Sequence, residues 1–443
     1  MNNELIYNKP INIKNVMSFT IPSMLRMVFI SMYTIVDGIV VSNYVGSVGL
    51  SAINIVYPIL NLNMAFALMF ASGANAMIGK KLGEGDVHSA NRIMTAVVIL
   101  NMAILAVLET VFFCFDEQIY YFLGSDDILL PYCVEYGSVL ILAGPIWALQ
   151  MLFQNFLITA DRPKLSLYLS IGSGILNVAL DLLLVGVLDM GIVGAAYASV
   201  TGMALGGLIP LFVFSNRKNL LHFEKPLWDG KIILKSMGNG ASEMVSNLSC
   251  ATTTTLYNWQ MMALIGEKGI AAISAALYLQ FVFVAACFGF SGGISPLISY
   301  NYGAQNHENL RKAYKIGLYT MIVLPFLLCI LAEILTVPLT MVFASKDPVL
   351  SEIMIHGFRL MALSVCTTGI AIYASAFFTA LNDGKVSAII SFLRTFLFEA
   401  GAIMLLPLIF EADGVWLALP AAGLLSIFVS IFFLIKKRDV YKY

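Results

Sequence analysis

Two mostly apolar stretches of the chain each contain a carboxylate. Asp37 lies in MYTIVDGIV, residues 32–40, and Asp181 lies in ILNVALDLLLVG, residues 175–186. An ionised acid at the centre of a bilayer costs about 2.5–3.5 kcal/mol, so such acids usually face the protein interior or become neutral. An acid that takes up a proton or holds Na⁺ can serve ion coupling, whereas one that is hydrogen-bonded in a core is structural.

The spacing of neighbouring polar residues predicts which surface these acids share. Tyr33 lies four residues before Asp37, and Asn177 lies four residues before Asp181, so each pair lies on one face of a helix. Two carboxylates in one pocket cannot both stay ionised cheaply, so protonation or Na⁺ binding would relieve their repulsion. Further polar residues extend the two stripes: Ser23 and Arg26 before Tyr33, and Ser166, Ser170 and Ser173 before Asn177. Gly38 and Pro22 are candidate hinges where the first helix could bend.

The composition excludes a soluble protein. The 443 residues are 59% hydrophobic and 12% charged, with a mean hydropathy of +0.87. The four histidines are far apart in sequence and the six cysteines lack metal-ligand spacing. We therefore expect no enzyme activity, no cofactor, no nucleic-acid partner and no firm metal site, although Asp37 and Asp181 could hold Na⁺.

Apolar windows of about 20 residues predict twelve membrane spans. They lie near 15–42, 48–79, 93–114, 132–159, 165–187, 191–214, 233–264, 269–300, 313–341, 351–380, 386–408 and 414–435. Most of the 25 lysines and arginines lie on one side of these spans, in the N-terminus, the alternate loops and the tail. The positive-inside rule places that side in the cytoplasm, which predicts a multi-pass protein of the cell membrane with both termini inside the cell.

The two halves of the chain repeat one plan. Residues 45–86 align without a gap with residues 265–306, so that Gly46, Gly49, Gly73 and Gly83 meet Gly266, Gly269, Gly293 and Gly303. An even number of spans per repeat keeps both halves in the same orientation, related by a pseudo-twofold axis along the membrane normal. The prediction is an all-α membrane protein with an N-terminal six-helix lobe at 1–214, a cytoplasmic linker at 215–232, and a C-terminal six-helix lobe with a cytoplasmic tail at 233–443. Two such bundles suit alternating access to a central site, and we expect a monomer.

Several segments resemble the MATE (multidrug and toxic compound extrusion) transporters and, within them, the MepA-type branch. They are SMYTIVDGIVVSNYVG, GKKLGEGD, the run from ITADRPKLS through NVALD to GIVGAAYAS, GNGASEMVSNLS and SYNYGAQN. The resemblance covers nearly the whole chain in order. It implies two six-helix lobes and export of amphipathic, often cationic organic molecules, driven by inward flow of H⁺ or Na⁺.

The resemblance also implies roles for individual residues. Tyr33, Asp37, Asn177 and Asp181 match the family's ion-coupling positions, and Ser199 stands where the family often has threonine. The resemblance and a titratable carboxylate pair favour coupling to H⁺ over Na⁺. The second half lacks this acid pair. It carries other candidates for substrate contact, which with Arg26 of the first half are Glu243, Asn247, Thr254 and Asn258.

Other interpretations remain open from the sequence. Glu243 could contact a cationic substrate, act as a second coupling acid, or pair with an arginine such as Arg359, and Arg394 with Glu399 could be a mutual structural pair. Glu109 and Glu333 are expected to reach interface water. A flippase for lipid-linked oligosaccharide precursors would need basic residues in the cleft, yet acids outnumber arginines within the spans. A membrane receptor or scaffold would not need paired buried carboxylates.

Overall fold

The computed structural model describes residues 5–344 and 347–443, and the side chains at 37–43, 46–48, 50 and 342 lie outside that description. The described chain is helical and contains no strand. Helices of the first half are α1 (Ile13–Gly83), α2 (Val87–Cys114), α3 (Asp116–Phe122), α4 (Leu130–Thr159), α5 (Pro163–Asp181) and α6 (Gly191–Ser215). Helices of the second half are α7 (Gly230–Leu264), α8 (Glu267–Gly303), α9 (His307–Ala344), α10 (Pro348–Ala380), α11 (Gly384–Phe392), α12 (Glu399–Leu405), α13 (Pro407–Lys436) and α14 (Arg438–Tyr441).

Two of the predicted spans contain a stretch of π-helix. Leu182–Val187 follows α5 directly, and Leu393–Phe398 joins α11 to α12. π-helical turns are rare and are frequent at functional sites. In this chain each one borders an intramembrane acid, Asp181 before the first and Glu399 after the second.

Eleven helical segments of the described chain are long and apolar enough to cross a membrane. Two of them, Ile13–Val36 and Ser51–Gly83, lie in α1, and the turn predicted between them falls mostly on side chains outside the description. The remaining predicted span, the seventh at 233–264, forms α7. This helix is less apolar because it carries Glu243, Asn247 and a run of four threonines at 252–255. The described chain therefore has the all-α, polytopic membrane architecture that the sequence predicts.

The chain divides into two compact units. The N-terminal unit is Phe29–Gly240, and the C-terminal unit is the chain up to Val28 together with Ala241–Tyr443. The start of span one thus groups with the second half, and the start of α7 groups with the first half. These units differ from the lobes predicted at 1–214 and 233–443, which remain a prediction about membrane topology.

Glycines explain why the helix starts group in this way. In the N-terminal unit, a Cβ at Gly73 would overlap the Ser236 carbonyl of α7, and a Cβ at Gly240 would overlap the Met69 carbonyl of α1. In the C-terminal unit, a Cβ at Gly289 of α8 would lie 2.5 Å from the Ser23 carbonyl oxygen. Small residues allow helix backbones to approach closely. The same crossing therefore occurs in each unit, between span two of one half and the first helix of the other half.

Candidate functional site

The N-terminal unit buries Asp181 at the end of α5. Asp181 is 0% exposed, and Asn177 one turn earlier is also buried. The Asn177 side-chain amide donates a hydrogen bond to the Ser199 hydroxyl on α6, at 3.4 Å. The structure thus brings two of the predicted coupling residues, Asn177 and Ser199, into contact, and a third, Asp181, lies one helical turn after Asn177 on the same helix.

Two glycines set the spacing of the helices around these residues. A Cβ at Gly202 of α6 would lie 2.9 Å from the Ser173 carbonyl oxygen and 3.0 Å from the Asn177 Cβ. A Cβ at Gly174 of α5 would lie 2.7 Å from Phe29 Cε1 and 3.0 Å from Tyr33 Cδ1. Gly202 therefore lets α6 approach Asn177, and Gly174 lets the aromatic face of span one approach α5.

The polar stripe of span five contains hydroxyls that are hydrogen-bonded locally and buried polar atoms that have no hydrogen-bond partner among the described residues. Ser166 donates to the Gln154 carbonyl at 3.1 Å, and Ser170 donates to the Ser166 carbonyl at 3.0 Å, so both hydroxyls serve local structure. The buried Ser173 hydroxyl and the Asn177 side-chain carbonyl have no hydrogen-bond partner among the described residues. Buried polar atoms normally find a partner, so this end of the stripe has capacity for an ion, a water or a side chain outside the description.

Span one does not present a single stripe to α5. Tyr33 lies against α5, whereas Ser23 lies against Gly293 of α8 in the C-terminal unit. Arg26 is buried in the same unit as Ser23. Pro22 lies within the continuous helix α1. The side chain of Asp37 and the candidate hinge Gly38 lie outside the described residues.

Glu109 is buried, whereas the sequence led us to expect that it reaches interface water. It is 6% exposed, and its side chain occupies the space that a Cβ at Gly144 of α4 would fill. Asn63 reaches the same point, since its side-chain nitrogen lies 3.3 Å from that position. The prediction failed because Glu109 lies on a face of α2 that packs against α4 and the second span of α1, which hydropathy alone does not distinguish.

The C-terminal unit groups ionisable residues from α7 and from the π-helical part of span eleven. Arg394 lies within electrostatic reach of both Glu399 and Glu243. Glu399 in turn lies near the Thr253 hydroxyl. Arg394 is thus shared by two acids instead of forming an exclusive pair with Glu399. Arg359 lies near Glu333, so it is not the arginine that faces Glu243.

The remaining predicted substrate-contact residues lie on α7. Asn247 donates to the Glu243 carbonyl at 3.0 Å, and Thr254 donates to the Cys250 carbonyl at 2.8 Å, so these donors are used within the helix. The Asn258 side-chain carbonyl and the Tyr257 hydroxyl are buried and have no hydrogen-bond partner among the described residues. Tyr257, which lies near Glu399, was not predicted as a site residue because an isolated tyrosine in an apolar span carries no distinctive pattern.

A chain of buried hydroxyls in the C-terminal unit was also not predicted. Ser375 lies 2.9 Å from Ser387 and 2.8 Å from Ser391, and Thr379 lies 2.7 Å from Ser387. Ser242 of α7 extends the chain at 3.4 Å from Thr379. Serines at 387 and 391 have helical spacing, which is a signal that the sequence offered. Among the described residues, no cluster of three or more histidine, cysteine or acidic side chains could hold a metal ion.

Membrane transporters are among the all-helical membrane proteins that bury polar groups between their helices. The MatE family model matches residues 22–183 and 234–402, and the chain belongs to this family, whose members are transporters and not enzymes. The multidrug export protein MepA of Staphylococcus saprophyticus is 22% identical over 413 residues, covering 91% of this chain and 88% of that protein. An FAD transporter of Shewanella oneidensis is 22% identical over 421 residues, covering 92% of this chain and 91% of that protein.

A solved structure shares the fold over almost the full length. The crystal structure of MATE in complex with MaL6 superposes with a TM-score of 0.93 at 19% identity, covering 99% of this chain and 98% of that one. The family match establishes a multi-pass transporter of the cell membrane. Its homologues act on small-molecule substrates.

Proposed function

We propose that this transporter exports amphipathic organic cations in exchange for protons, by alternating access between two lobes. The observation that carries the proposal is the buried Asp181, which lies one turn from the hydrogen-bonded Asn177 and Ser199. A buried carboxylate beside unsatisfied oxygen atoms can exchange a proton for another cation, because neutralisation removes the cost of its buried charge.

The contacts of span one support a shared site for Asp37 and Asp181. Tyr33 packs at Gly174, and the Tyr44 ring lies 3.4 Å from the position of a Cβ at Gly186. Span one and span five therefore run side by side in the same direction. Because Asp37 follows Tyr33 by one helical turn, we expect it at the level of Asn177 and Asp181.

The charge balance of the C-terminal unit supports a cationic substrate. Glu243 and Glu399 share one arginine, Arg394, so the cluster carries one more acid than base when all three are ionised. Met and Phe, of which the chain has 22 and 29, can repack around varied ligands. Glu243→Gln should weaken export of organic cations more than export of neutral compounds, with the response to the ion gradient retained. Equal loss for both substrate types with reduced protein in the membrane would instead assign Glu243 a structural role.

Dye efflux from everted vesicles under separately imposed pH and Na⁺ gradients tests the coupling. Asp37→Asn and Asp181→Asn should each insert normally but lose gradient-driven export, since Asn can neither take up a proton nor offer a full charge. The double variant should lose little more than either single one, because residues that act as one site are non-additive.

Asp189→Asn is a matched control. Asp189 is exposed just beyond the π-helical segment and has φ of 51°, a conformation that Asn tolerates. It should transport like the wild type. Gradient-driven export that persists in both Asp37→Asn and Asp181→Asn would refute the mechanism. Wild-type export that follows only the Na⁺ gradient would identify Na⁺, and not H⁺, as the coupling ion.

A further inference from the structure

A cationic cavity lies at one end of the C-terminal unit, away from the intramembrane acids. It has a volume of about 430 Å³ and is lined by the start of α9 and by the chain after α13. Three cations line it, Arg311, Arg438 and Lys442, against one acid, Asp439. His307 completes the wall, and its Nδ1 is buried with no hydrogen-bond partner among the described residues.

The last residues of the chain are fixed in place around this cavity. The Tyr443 side chain is 1% exposed, and its hydroxyl donates to the Leu434 carbonyl at 2.7 Å. The Tyr443 ring packs against Tyr314, with ring centroids 4.7 Å apart. The Tyr441 hydroxyl donates to Asp383 at 2.8 Å. These contacts hold the backbone that carries Arg438 and Lys442 over the start of α9.

Nearby lysines are neutralised, in contrast to the cations of the cavity. Lys437 pairs with Asp383 at 3.2 Å, and Lys312 pairs with Glu308 at 2.7 Å. Within the described chain, no ion pair neutralises Arg311. The N-terminus of the long helix α9 adds positive potential at the same place, since helix dipoles favour anions at their N-termini.

In the internal repeat, the start of α2 in the N-terminal unit corresponds to the start of α9. At the start of α2, Glu224 from the linker lies 3.1 Å from His222 and also contacts His88. Asn91 donates to the same carboxylate at 3.2 Å. The linker therefore places its own anion over the start of α2.

Two acids that precede α2, Glu84 and Asp86, have no acidic counterpart before α9. With the ungapped offset of the repeat, Glu84 corresponds to Ala304, and Asp86, which caps α2, corresponds to Asn306, which caps α9. The segment that covers α9 brings Arg438 and Lys442 where the linker brings Glu224 over α2. The start of α2 is thus covered by an acid of the linker, Glu224. The cavity at the start of α9 has three cations against one lining acid, Asp439, because the nearby Glu308 is paired with Lys312.

We propose that the cavity bounded by His307, Arg311, Arg438 and Lys442 is a binding site for a phosphate group. Arginine side chains match phosphate oxygens in a bidentate geometry, and the three cations exceed Asp439, the one acidic side chain that lines the cavity. The positive-inside rule puts this end of the unit at the cytoplasmic membrane surface, where basic pockets can bind lipid head groups. The phosphate could therefore belong to a lipid or to a soluble compound.

The experiment uses the purified full chain and two probes. Inorganic pyrophosphate, titrated by calorimetry, tests a soluble ligand. Phosphatidylcholine nanodiscs with or without phosphatidic acid, compared by thermal unfolding, test a lipid ligand. Arg311→Gln and Arg438→Gln should each weaken binding of the effective probe about tenfold, as expected for loss of one charge-assisted hydrogen bond.

Two further variants make the result specific. Lys315→Gln removes the same charge one turn further along α9 at an exposed position outside the cavity, so its binding should equal that of the wild type. Asn306→Asp keeps the helix cap but adds the charge found in the other repeat, so it should weaken binding without harming the fold. Binding of either probe with this pattern supports the site and identifies its source. No binding of either probe, or equal loss in Lys315→Gln and Arg311→Gln, would overturn it.

Discussion

The approach of span one to α5 depends on Gly174, and a pair of glycine substitutions isolates its contribution. A Cβ at Gly174 would lie 2.7 Å from Phe29 Cε1 and 3.0 Å from Tyr33 Cδ1, whereas a Cβ at Gly172 would have Leu205 Cδ2 as its nearest neighbour, at 3.5 Å. Carbon atoms pack at about 3.5–4.0 Å, so Gly174→Ala must move the aromatic pair by roughly 0.5–1 Å. Overpacking of this kind costs about 1–3 kcal/mol.

The helix-propensity gain of about 1 kcal/mol is common to both substitutions and cancels in their difference. Gly174→Ala should therefore be less stable than Gly172→Ala by about 1–3 kcal/mol. Gly174→Ala should also lose gradient-driven dye efflux, because displacement of Tyr33 moves the turn that carries Asp37 away from α5. Thermal unfolding in detergent measures the first effect and everted-vesicle efflux the second. Equal melting temperature and equal efflux in the two variants would refute the role assigned to this helix contact.

Three further outcomes are expected. Gly240→Ala should unfold at a lower temperature than Gly238→Ala, because a Cβ at Gly240 overlaps a backbone carbonyl while one at Gly238 has no neighbour within 4 Å. Asp347 pairs with a lysine and caps α10, which holds the pKa of its carboxyl below the ordinary value of 3.8; the stability difference between wild type and Asp347→Asn should be full above that pH and shrink as the pH falls below it. In a cysteine-free background, cysteine at position 126 should be labelled from outside the cell and cysteine at position 225 only from inside, as the predicted topology requires.

Controls separate these outcomes from general damage. Gly238 and Gly240 both lie in α7, so the gain in helix propensity is common to Gly238→Ala and Gly240→Ala, and equal melting temperatures would contradict the importance of the crossing. The stability difference between wild type and Asp347→Asn should shrink when Lys268, the partner of Asp347 at 2.7 Å, is replaced by Gln, and the part that remains is due to the helix cap; an unchanged difference would show that the ion pair does not contribute. Labelling of position 225 from outside would contradict the twelve-span topology.

Sequence patterns predicted the membrane spans because length and hydropathy determine them. The observed helices follow eleven predicted spans, with limits that differ by up to seven residues, and α7, although less apolar, begins and ends near its predicted limits. The patterns could not predict the division into compact units. The start of span one packs on Gly289 and Gly293 of α8, and the start of α7 packs on Gly73, which are long-range contacts between small residues. Nothing in local periodicity specifies such a partner.

The candidate site was only partly predictable for a related reason. Asn177 and Ser199 were expected to meet and do so, because helical spacing and the family resemblance pointed to the same face. Glu109 was misplaced, and Arg394 proved to be shared between Glu399 and Glu243, because the environment of an intramembrane charge depends on which helix faces it. Tyr257 could not be selected from sequence, since its burial and its position near Glu399 arise from packing.

Each π-helical segment adjoins an intramembrane acid, Asp181 or Glu399. A π turn holds one residue more than an α turn, so residues before and after it no longer follow a single stripe of 3.6-residue period. Asp181 ends the regular part of span five, and Glu399 begins the regular part that follows Leu393–Phe398. Each acid thus lies where the helix changes its hydrogen-bonding pattern, with Arg394 inside the second segment. The charge change that we propose at Asp181 would therefore act next to backbone whose hydrogen bonds already depart from the α pattern.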